Sequence, residues 1–247
     1  MDATSYQQYL QETDDWLKSA RTRLLVHLIE RHRPKTGQLE SIEIGAGAGQ
    51  NLPALAGFGP VDAIEVNPLG RDAIRSRNIV RDVFADPVPF ALERRYDVAC
   101  ALDVVEHLAD DVGALQWMAG LLRPGGVLVV TVPAYQWLFS DHDRALQHYR
   151  RYTRARLLEA LPKELEPVTS GYFTHFAFPL AIAARAAWSL RRRLQPGVPA
   201  KQSSPRGGIA ATMLGGLHAA ELSLIARGYR PPFGLSVYLV ARRVGGA

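Results

Sequence analysis

The chain has 247 residues, 47% of them hydrophobic, so it can bury one large core and is expected to form a single domain over residues 1–247. No stretch of about 20 apolar residues that would span a membrane occurs, and the first residues lack the basic start and apolar run of a secretory signal. A single cysteine, Cys100, excludes disulfides within the chain and sits in an apolar strand pattern. These features predict a cytoplasmic protein.

The first predicted elements are helical. Apolar residues recur at helical spacing between Thr4 and Arg33, and Pro34 then stops the pattern. We therefore expect one or two helices, which would form an N-terminal helical cap over residues 1–36.

A glycine-rich segment follows the first predicted strand. Residues 43–49 read E-I-G-A-G-A-G, and a second short strand ends in Glu65. Glycines let the backbone approach a ligand, and an acid at the end of the second strand accepts hydrogen bonds from ribose hydroxyls. A dinucleotide fingerprint would place its third glycine at position 50, which is Gln here. The spacing therefore indicates a nucleotide site of another kind.

With this acid-x-Gly-x-Gly-x-Gly run, the chain resembles the class I S-adenosylmethionine-dependent methyltransferases. The resemblance continues in order through V-R-D-V at 80–83, Y-D-V-A-C-A-L-D-V-V-E-H at 96–107 and L-L-R-P-G-G-V-L-V-V-T-V-P at 121–133. It implies S-adenosyl-L-methionine as the cofactor, S-adenosyl-L-homocysteine as the product, and Asp82 as the partner of the adenine amino group.

The same segments determine the expected fold. Strands and helices alternate from Glu40 to Val132, the pattern of a parallel sheet with helices on both faces. The resemblance implies an α/β fold with a Rossmann-like, seven-stranded, mostly parallel sheet. Its last strand, Leu235–Ala241, would be an antiparallel edge strand. We expect the Rossmann-like core to cover residues 37–172 and 233–247, with a helical insertion at 173–232 before the last strand.

The resemblance also implies a cofactor site, which would be built from the glycine loop, the ends of strands two to four and the E-H turn. The residues expected there are Glu43, Gly45, Ala46, Gly47, Gly49, Asn51, Glu65, Val66, Asn67, Asp82, Val83, Asp103, Val104 and His107.

The acceptor is expected beyond the carboxyl ends of strands four and five, where ligands bind in open α/β sheets. The segment after strand five carries an H-D-x-x-x-x-H-x-R-R-Y run, and it resembles a subgroup of bacterial methyltransferases whose acceptors are mostly unassigned. Two histidines, His142 and His148, can act as bases near neutral pH, although His148 can equally fix the loop. The substrate-binding candidates are Tyr135, Trp137, Arg150, Arg151, Tyr152 and His175.

The insertion combines apolar and basic residues. Residues 176–190 are apolar and precede Arg191–Arg193, and residues 167–247 contain ten Lys and Arg against one acid. Such a segment can contact an anionic membrane surface, here the inner membrane through residues 176–193, or cover a pocket, or form a dimer interface. The basic excess indicates an anionic partner or a solvated face.

Three functions are open at this point. The first is a small-molecule O- or N-methyltransferase, which the aromatic and histidine-bearing loop favours. It would act as a monomer or homodimer, and its candidate acceptors include anionic and lipid-linked molecules. An RNA methyltransferase would use the basic C-terminal part. The resemblance implies an Asn/Asp-Pro-Pro-aromatic run after strand four in members that modify bases, and this chain has none there, so nucleic acid is not expected. A non-catalytic cofactor-binding or membrane-surface protein would need a defective glycine loop. No metal site is predicted, because the histidines form no H-E-x-x-H run.

Overall fold

The computed structural model describes residues 16–35, 37–194 and 208–245. These residues form a seven-stranded sheet in the order β3-β2-β1-β4-β5-β7-β6, in which β7 runs opposite to the other six strands. The strands are β1 Ser41–Ile44, β2 Val61–Ile64, β3 Val83–Phe84, β4 Tyr96–Leu102, β5 Leu122–Pro133, β6 Leu165–Phe173 and β7 Ser236–Arg243. The predicted Rossmann-like, mostly parallel α/β fold is confirmed.

The described helices are α1 Trp16–His32, α2 Leu52–Ala56, α3 Pro68–Ser76, α4 Asp111–Leu121, α5 Asp141–Ala145, α6 Arg154–Glu159, α7 Phe178–Leu194 and α8 Gly208–Ala226. Short 3-10 helices cover Val105–His107 and Gln136–Leu138.

The position of the last strand differs from the prediction. Strand β7 lies between β5 and β6, so β6 and not β7 is the edge strand. The long insertion before β7 returns the chain to the sheet in the opposite direction, and β7 pairs along its whole length with both neighbours. Six of its eight residues are buried, which explains its uninterrupted apolar sequence.

The two faces of the sheet carry separate hydrophobic cores. Successive side chains of a strand point to opposite faces, so Ala99 of β4 packs in one core, whereas Val98 and Cys100 pack in the other. All seven β4 residues are buried because helices cover both faces. Burial raises the pKa of the Cys100 thiol, as expected for a structural cysteine.

The cap and the insertion meet on one side of the sheet. Helix α1 packs against α8, and the Arg31 guanidinium donates a hydrogen bond to the carbonyl of Ala226 at 3.2 Å. The first 15 residues of the predicted cap lie outside the described residues, as do the side chains of Arg191–Arg193 at the end of α7. None of the helices in the described ranges is long and apolar enough to cross a membrane.

Candidate active site

The glycine loop connects β1 to α2 at the carboxyl edge of the sheet. Gly45, Gly47 and Gly49 all have positive φ angles, of 68°, 57° and 73°. A Cβ atom at Gly45 would lie 2.6 Å from Val104, so this position requires glycine for both its backbone angle and its space. The Glu65 carboxylate accepts hydrogen bonds from the backbone N–H groups of Gly47 and Asn67, both at 2.7 Å. It thereby fixes the loop against the end of β2.

A buried carboxylate lies beneath this loop. Asn51 Nδ2 donates to Glu43 Oε1 at 2.7 Å, and Thr22 of α1 donates to Asn51 Oδ1 at 2.6 Å. Glu43 Oε2 has no hydrogen-bond partner within the part of the chain that the structure describes. Burial raises the pKa of Glu43 to about 8. The arrangement favours a cationic ligand group at this carboxylate.

Arg21 is a residue of this site that the sequence reasoning missed. It lies on α1, lines the same cleft as Glu43, Gly45 and Asn51, and forms a 2.5 Å ion pair with Asp103. Asp103 follows β4 directly and also accepts a hydrogen bond from Thr131 at 3.0 Å. The methionine part of S-adenosylmethionine carries an ammonium and a carboxylate. Arg21 supplies a positive charge for the carboxylate, and Glu43 Oε2 supplies an acceptor for the ammonium, whose charge favours the ionised form of Glu43. The described residues therefore fit this cofactor.

Apart from Asp82, the other predicted cofactor residues lie at or near this edge of the sheet, with differing environments. Ala46 is buried, and its N–H donates to the carbonyl of Ile64 at 3.0 Å. The Asn67 side chain caps α3 by accepting from the N–H of Leu69, whereas the neighbouring Val66 side chain is 57% exposed. Val83 is half-buried within β3.

Asp82 is a wrong assignment. It precedes β3, because Val83 is the first residue of that strand, and it therefore lies at the amino edge of the sheet beside Asp62. Its carboxylate pairs with Arg94 at 2.7 Å. The prediction put Asp82 at the end of the third strand, whereas it lies just before that strand. Asp86, two residues beyond the end of β3, is exposed at the carboxyl edge, where a nucleotide binds.

The segment after β5 is organised by Asp143, a second missed residue. This fully buried carboxylate accepts from Arg151 Nε at 2.7 Å, from the Ser140 N–H at 2.8 Å and from His148 Nδ1 at 3.0 Å. Burial alone would raise the pKa of Asp143, but the hydrogen bonds from His148 and Arg151 hold it well below its usual range. Because the ionised carboxylate can only accept, His148 Nδ1 donates, which leaves Nε2 as the basic nitrogen.

Three predicted substrate-binding residues are structural. The Arg150 guanidinium donates to the carbonyls of Leu108 and Ala109 and pairs with Asp111 at 2.9 Å. Arg151 is buried in its pair with Asp143 and donates to the carbonyl of Ala134. Tyr152 is fully buried, and its hydroxyl donates to Asp111 at 2.7 Å. These side chains hold the loop after β5, and the prediction that they contact the acceptor is wrong.

The remaining acceptor candidates form an aromatic wall. Tyr135 has a φ of 61°, stacks on Tyr172 at 5.3 Å, and contacts Phe178 of α7 edge-on at 5.8 Å. Trp137 lies 5.7 Å from Tyr135 and is 65% exposed. His175 lies farther along this wall, with Nδ1 2.8 Å from the carbonyl of Phe233. We name this group, Tyr135, Trp137, Tyr172, Phe178 and Phe233, the aromatic wall.

The E-H turn, Glu106 and His107, lies between the predicted cofactor residues and the loop that carries His148. Glu106 is fully buried, and its carbonyl accepts from the N–H of Tyr149 at 2.8 Å. The His107 ring contacts the His148 ring edge-on at 4.5 Å, so His107 faces the predicted base. Burial, together with a smaller effect of the neighbouring His148, lowers the pKa of His107 to about 4, although Asp103 opposes the shift. His142 is exposed on α5.

Comparison with known proteins identifies the family. Residues 17–163 match the family described as a methyltransferase domain. The chain is 27% identical over 113 residues to a ubiquinone biosynthesis O-methyltransferase of Bradyrhizobium diazoefficiens, covering 41% of this chain and 42% of that protein. It is 32% identical over 118 residues to a trans-aconitate 2-methyltransferase of Methylobacterium radiotolerans, covering 46% and 45%. The alignments thus span less than half the length of these curated relatives.

A solved structure shares the fold over nearly the whole chain. The N-methyltransferase NodS of Bradyrhizobium japonicum WM9, in complex with S-adenosylhomocysteine, superposes with a TM-score of 0.53 at 17% identity. The superposition covers 96% of this chain and 97% of NodS. The family match covers more than half of the chain and includes the glycine loop, Glu65 and the E-H turn. The chain therefore belongs to the methyltransferase-domain family of class I S-adenosylmethionine-dependent methyltransferases.

Proposed function

We propose that the protein transfers the methyl group of S-adenosylmethionine to an oxygen or nitrogen atom of a small-molecule acceptor. The observation that carries this proposal is the Asp143–His148 pair at the cofactor edge of the sheet. Asp143 orients the ring through Nδ1, so Nε2 can take a proton from an acceptor. The charge of Asp103 raises the pKa of the adjacent His107, and Asp103 itself pairs with Arg21 in the cofactor cleft.

The reaction asks mainly for positioning. The acceptor lone pair forms a bond to the methyl carbon while the carbon–sulfur bond breaks, and S-adenosylhomocysteine leaves as a neutral sulfide. Holding the acceptor in line with sulfur and carbon supplies much of the rate. Within this scheme, the aromatic wall provides an apolar surface on which a small acceptor can pack, and His148 receives the proton.

The hydrogen bonds of three arginines in the C-terminal part favour a small acceptor over RNA. Arg242 donates to the carbonyls of Gly125 and His32, and Arg243 donates to those of Ala119 and Leu122. Arg185 donates to the carbonyl of Leu138. These guanidiniums stabilise the fold and are poor candidates for phosphate contacts. The names of the curated relatives, an O-methyltransferase of ubiquinone biosynthesis and a trans-aconitate methyltransferase, also describe small-molecule chemistry.

We further propose that the insertion contacts an anionic membrane surface through residues 176–193. On α7, Leu180 is 62% exposed, and Phe176 just before the helix is 38% exposed, so apolar side chains lie on the outside of this segment. The sequence places three arginines at its end. Exposed apolar residues with adjacent cations are typical of segments that bind at a membrane interface.

The acceptor class can be tested with methyl-labelled S-adenosylmethionine and a cell extract separated into small metabolites, lipids, RNA and protein. We expect label in the small-metabolite or lipid fraction, together with release of S-adenosylhomocysteine. Gly47→Val is the control, because a β-branched side chain at a positive φ in the glycine loop should abolish cofactor binding and labelling. Label in the RNA fraction alone would contradict the proposal.

A further inference from the structure

Glu106, His107 and His148 bring three donor groups together outside the glycine loop. One donor atom from each side chain lies within 4.8 Å of the others. Glu106 comes from the turn after β4 and is fully buried, whereas His148 comes from the loop after α5. Neither carboxylate oxygen of Glu106 has a hydrogen-bond partner in another residue that the structure describes. Burial raises the pKa of Glu106, so without a ligand the carboxyl avoids this cost by holding its proton. A bound cation would instead satisfy the ionised carboxylate.

The surroundings of both imidazoles match those of metal-bound histidines. A metal-ligating histidine usually donates its second ring N–H to a carboxylate or a backbone carbonyl. His148 donates from Nδ1 to Asp143 at 3.0 Å, and the His107 ring hydrogen-bonds to the backbone of Leu146. Asp143 is itself held by Arg151. Each ring is thus oriented by a hydrogen bond from one of its nitrogens, and the other nitrogen of each ring is left to bind a shared ion.

The spacing suits a small divalent ion after a modest contraction. Two donors that bind one ion at about 2.1 Å in tetrahedral geometry lie about 3.4 Å apart. The observed separations of up to 4.8 Å would shorten by about an ångström or more through side-chain rotation. Two imidazole nitrogens and one carboxylate oxygen suit transition metals such as Zn²⁺, Co²⁺ or Fe²⁺ better than Mg²⁺ or Ca²⁺.

We propose that Glu106, His107 and His148 bind one divalent transition-metal ion beside the cofactor cleft. Three protein ligands leave an open coordination position, which an acceptor hydroxyl or a water molecule can take. The ion would bind Nε2 of His148, so in the loaded protein this histidine would serve as a ligand. The ion would lower the pKa of the acceptor hydroxyl, whose proton would pass to solvent water instead of to His148. The proposal departs from the prediction that the chain has no metal site, since the three ligands come from two separate segments.

The test is titration of the chelator-treated, dialysed full-length protein with Co²⁺, followed by calorimetry and by visible absorption. We expect one ion per chain and the absorption of low-coordinate Co²⁺, and we expect Zn²⁺ to displace it. Removing a group that only hydrogen-bonds to a metal ligand typically weakens metal affinity about 10- to 100-fold. Glu106→Gln and His148→Ala change the ligands themselves, so each should weaken Co²⁺ binding at least that much.

Two matched controls separate coordination from general damage. His142→Ala removes a histidine of α5, the helix just before the loop that carries His148, and Glu43→Gln removes another buried carboxylate. Both variants should bind Co²⁺ like the unaltered protein. Circular dichroism and S-adenosylhomocysteine binding confirm that Glu106→Gln is folded. Failure of the unaltered protein to bind Co²⁺ at one equivalent, or unchanged affinity in folded Glu106→Gln, would overturn the proposal. Neither outcome bears on the methyl-transfer assay above.

Discussion

Arg21 of the first described helix forms a 2.5 Å ion pair with Asp103 at the carboxyl end of β4. The pair joins the N-terminal cap to the cofactor edge of the sheet, and its two side chains are 19% and 26% exposed. Thr22, the next residue, joins the same edge through Asn51. The cap therefore lines part of the candidate cofactor cleft in addition to covering the sheet.

Arg21→Ala should weaken cofactor binding. A hydrogen bond to a charged group contributes about 1.5 to 3 kcal/mol, so we expect S-adenosylhomocysteine affinity to fall about tenfold to 150-fold. Calorimetry on the purified variant measures this directly. Arg23→Ala is the matched control, because Arg23 is exposed on the same helix. Equal affinity of the two variants would show that Arg21 does not contact the cofactor.

Glu43 should make stability depend on pH. Its pKa is raised to about 8 by burial, so between pH 4.5 and 8 the folded state binds more protons than the unfolded state. The free energy of unfolding should therefore decrease as the pH rises through this window, by at most about 1.4 kcal/mol per pH unit. Glu43→Gln removes this ionisation. In urea unfolding, the free energy of unfolding of the variant should therefore rise relative to that of the unaltered protein from pH 5 to 8. A difference that is constant with pH would contradict this assignment.

His148→Ala should lower turnover about 10² to 10⁴-fold while leaving S-adenosylhomocysteine affinity nearly unchanged. The reason is that Asp143 fixes Nδ1 of His148 and leaves Nε2 for the acceptor proton or for an ion. His142→Ala is the control, since the sequence named both histidines and the structure shows the Asp143 contact for His148. Steady-state kinetics with the identified acceptor measure both variants. Unaltered turnover in His148→Ala would exclude this histidine from the reaction.

The sequence predicted the parts of the site that depend on local pattern. Gly45, Gly47 and Gly49 and the acid of Glu65 could be found because a strand, a turn and a strand end follow one another within a short segment. Arg21 could not be found in this way, since nothing in the spacing of α1 distinguishes it from Arg23. Its role arises only when the helix packs beside β4.

The loop after β5 shows the other limit of sequence reasoning. A run containing two histidines, two arginines and several aromatic residues indicates ligand contacts, but it does not show which charges pair with each other. Asp143 takes the Arg151 guanidinium and the His148 ring, and Asp111 takes Arg150 and Tyr152. These pairings bring together side chains from separate elements, so the charged groups that looked available for an acceptor are used to hold the loop.

Tyr152→Phe tests the structural role of this tyrosine. The ring is fully buried, and its hydroxyl donates to Asp111 at 2.7 Å. Removing the hydroxyl should lower the free energy of unfolding by about 1 to 3 kcal/mol, with turnover and the Michaelis constant for the acceptor unchanged at a temperature where the variant is folded. Urea unfolding and steady-state kinetics check the two parts. A raised Michaelis constant with unaltered stability would instead restore Tyr152 as an acceptor contact.

Replacing Arg191, Arg192 and Arg193 by Ser should reduce binding to anionic vesicles if residues 176–193 contact a membrane. Each surface cation contributes about 1 kcal/mol near an anionic bilayer, so three should change affinity about 100-fold at low salt. Arg185 is left unchanged, because its guanidinium donates to the carbonyl of Leu138 and stabilises the fold. Leu180→Asp should weaken binding separately, since this side chain is 62% exposed on the same helix.

The control replaces three exposed cations elsewhere, Lys35, Arg75 and Lys163. Sedimentation with phosphatidylglycerol vesicles measures all three variants, and equal binding by the two triple variants would show that the arginine cluster has no specific role at the membrane.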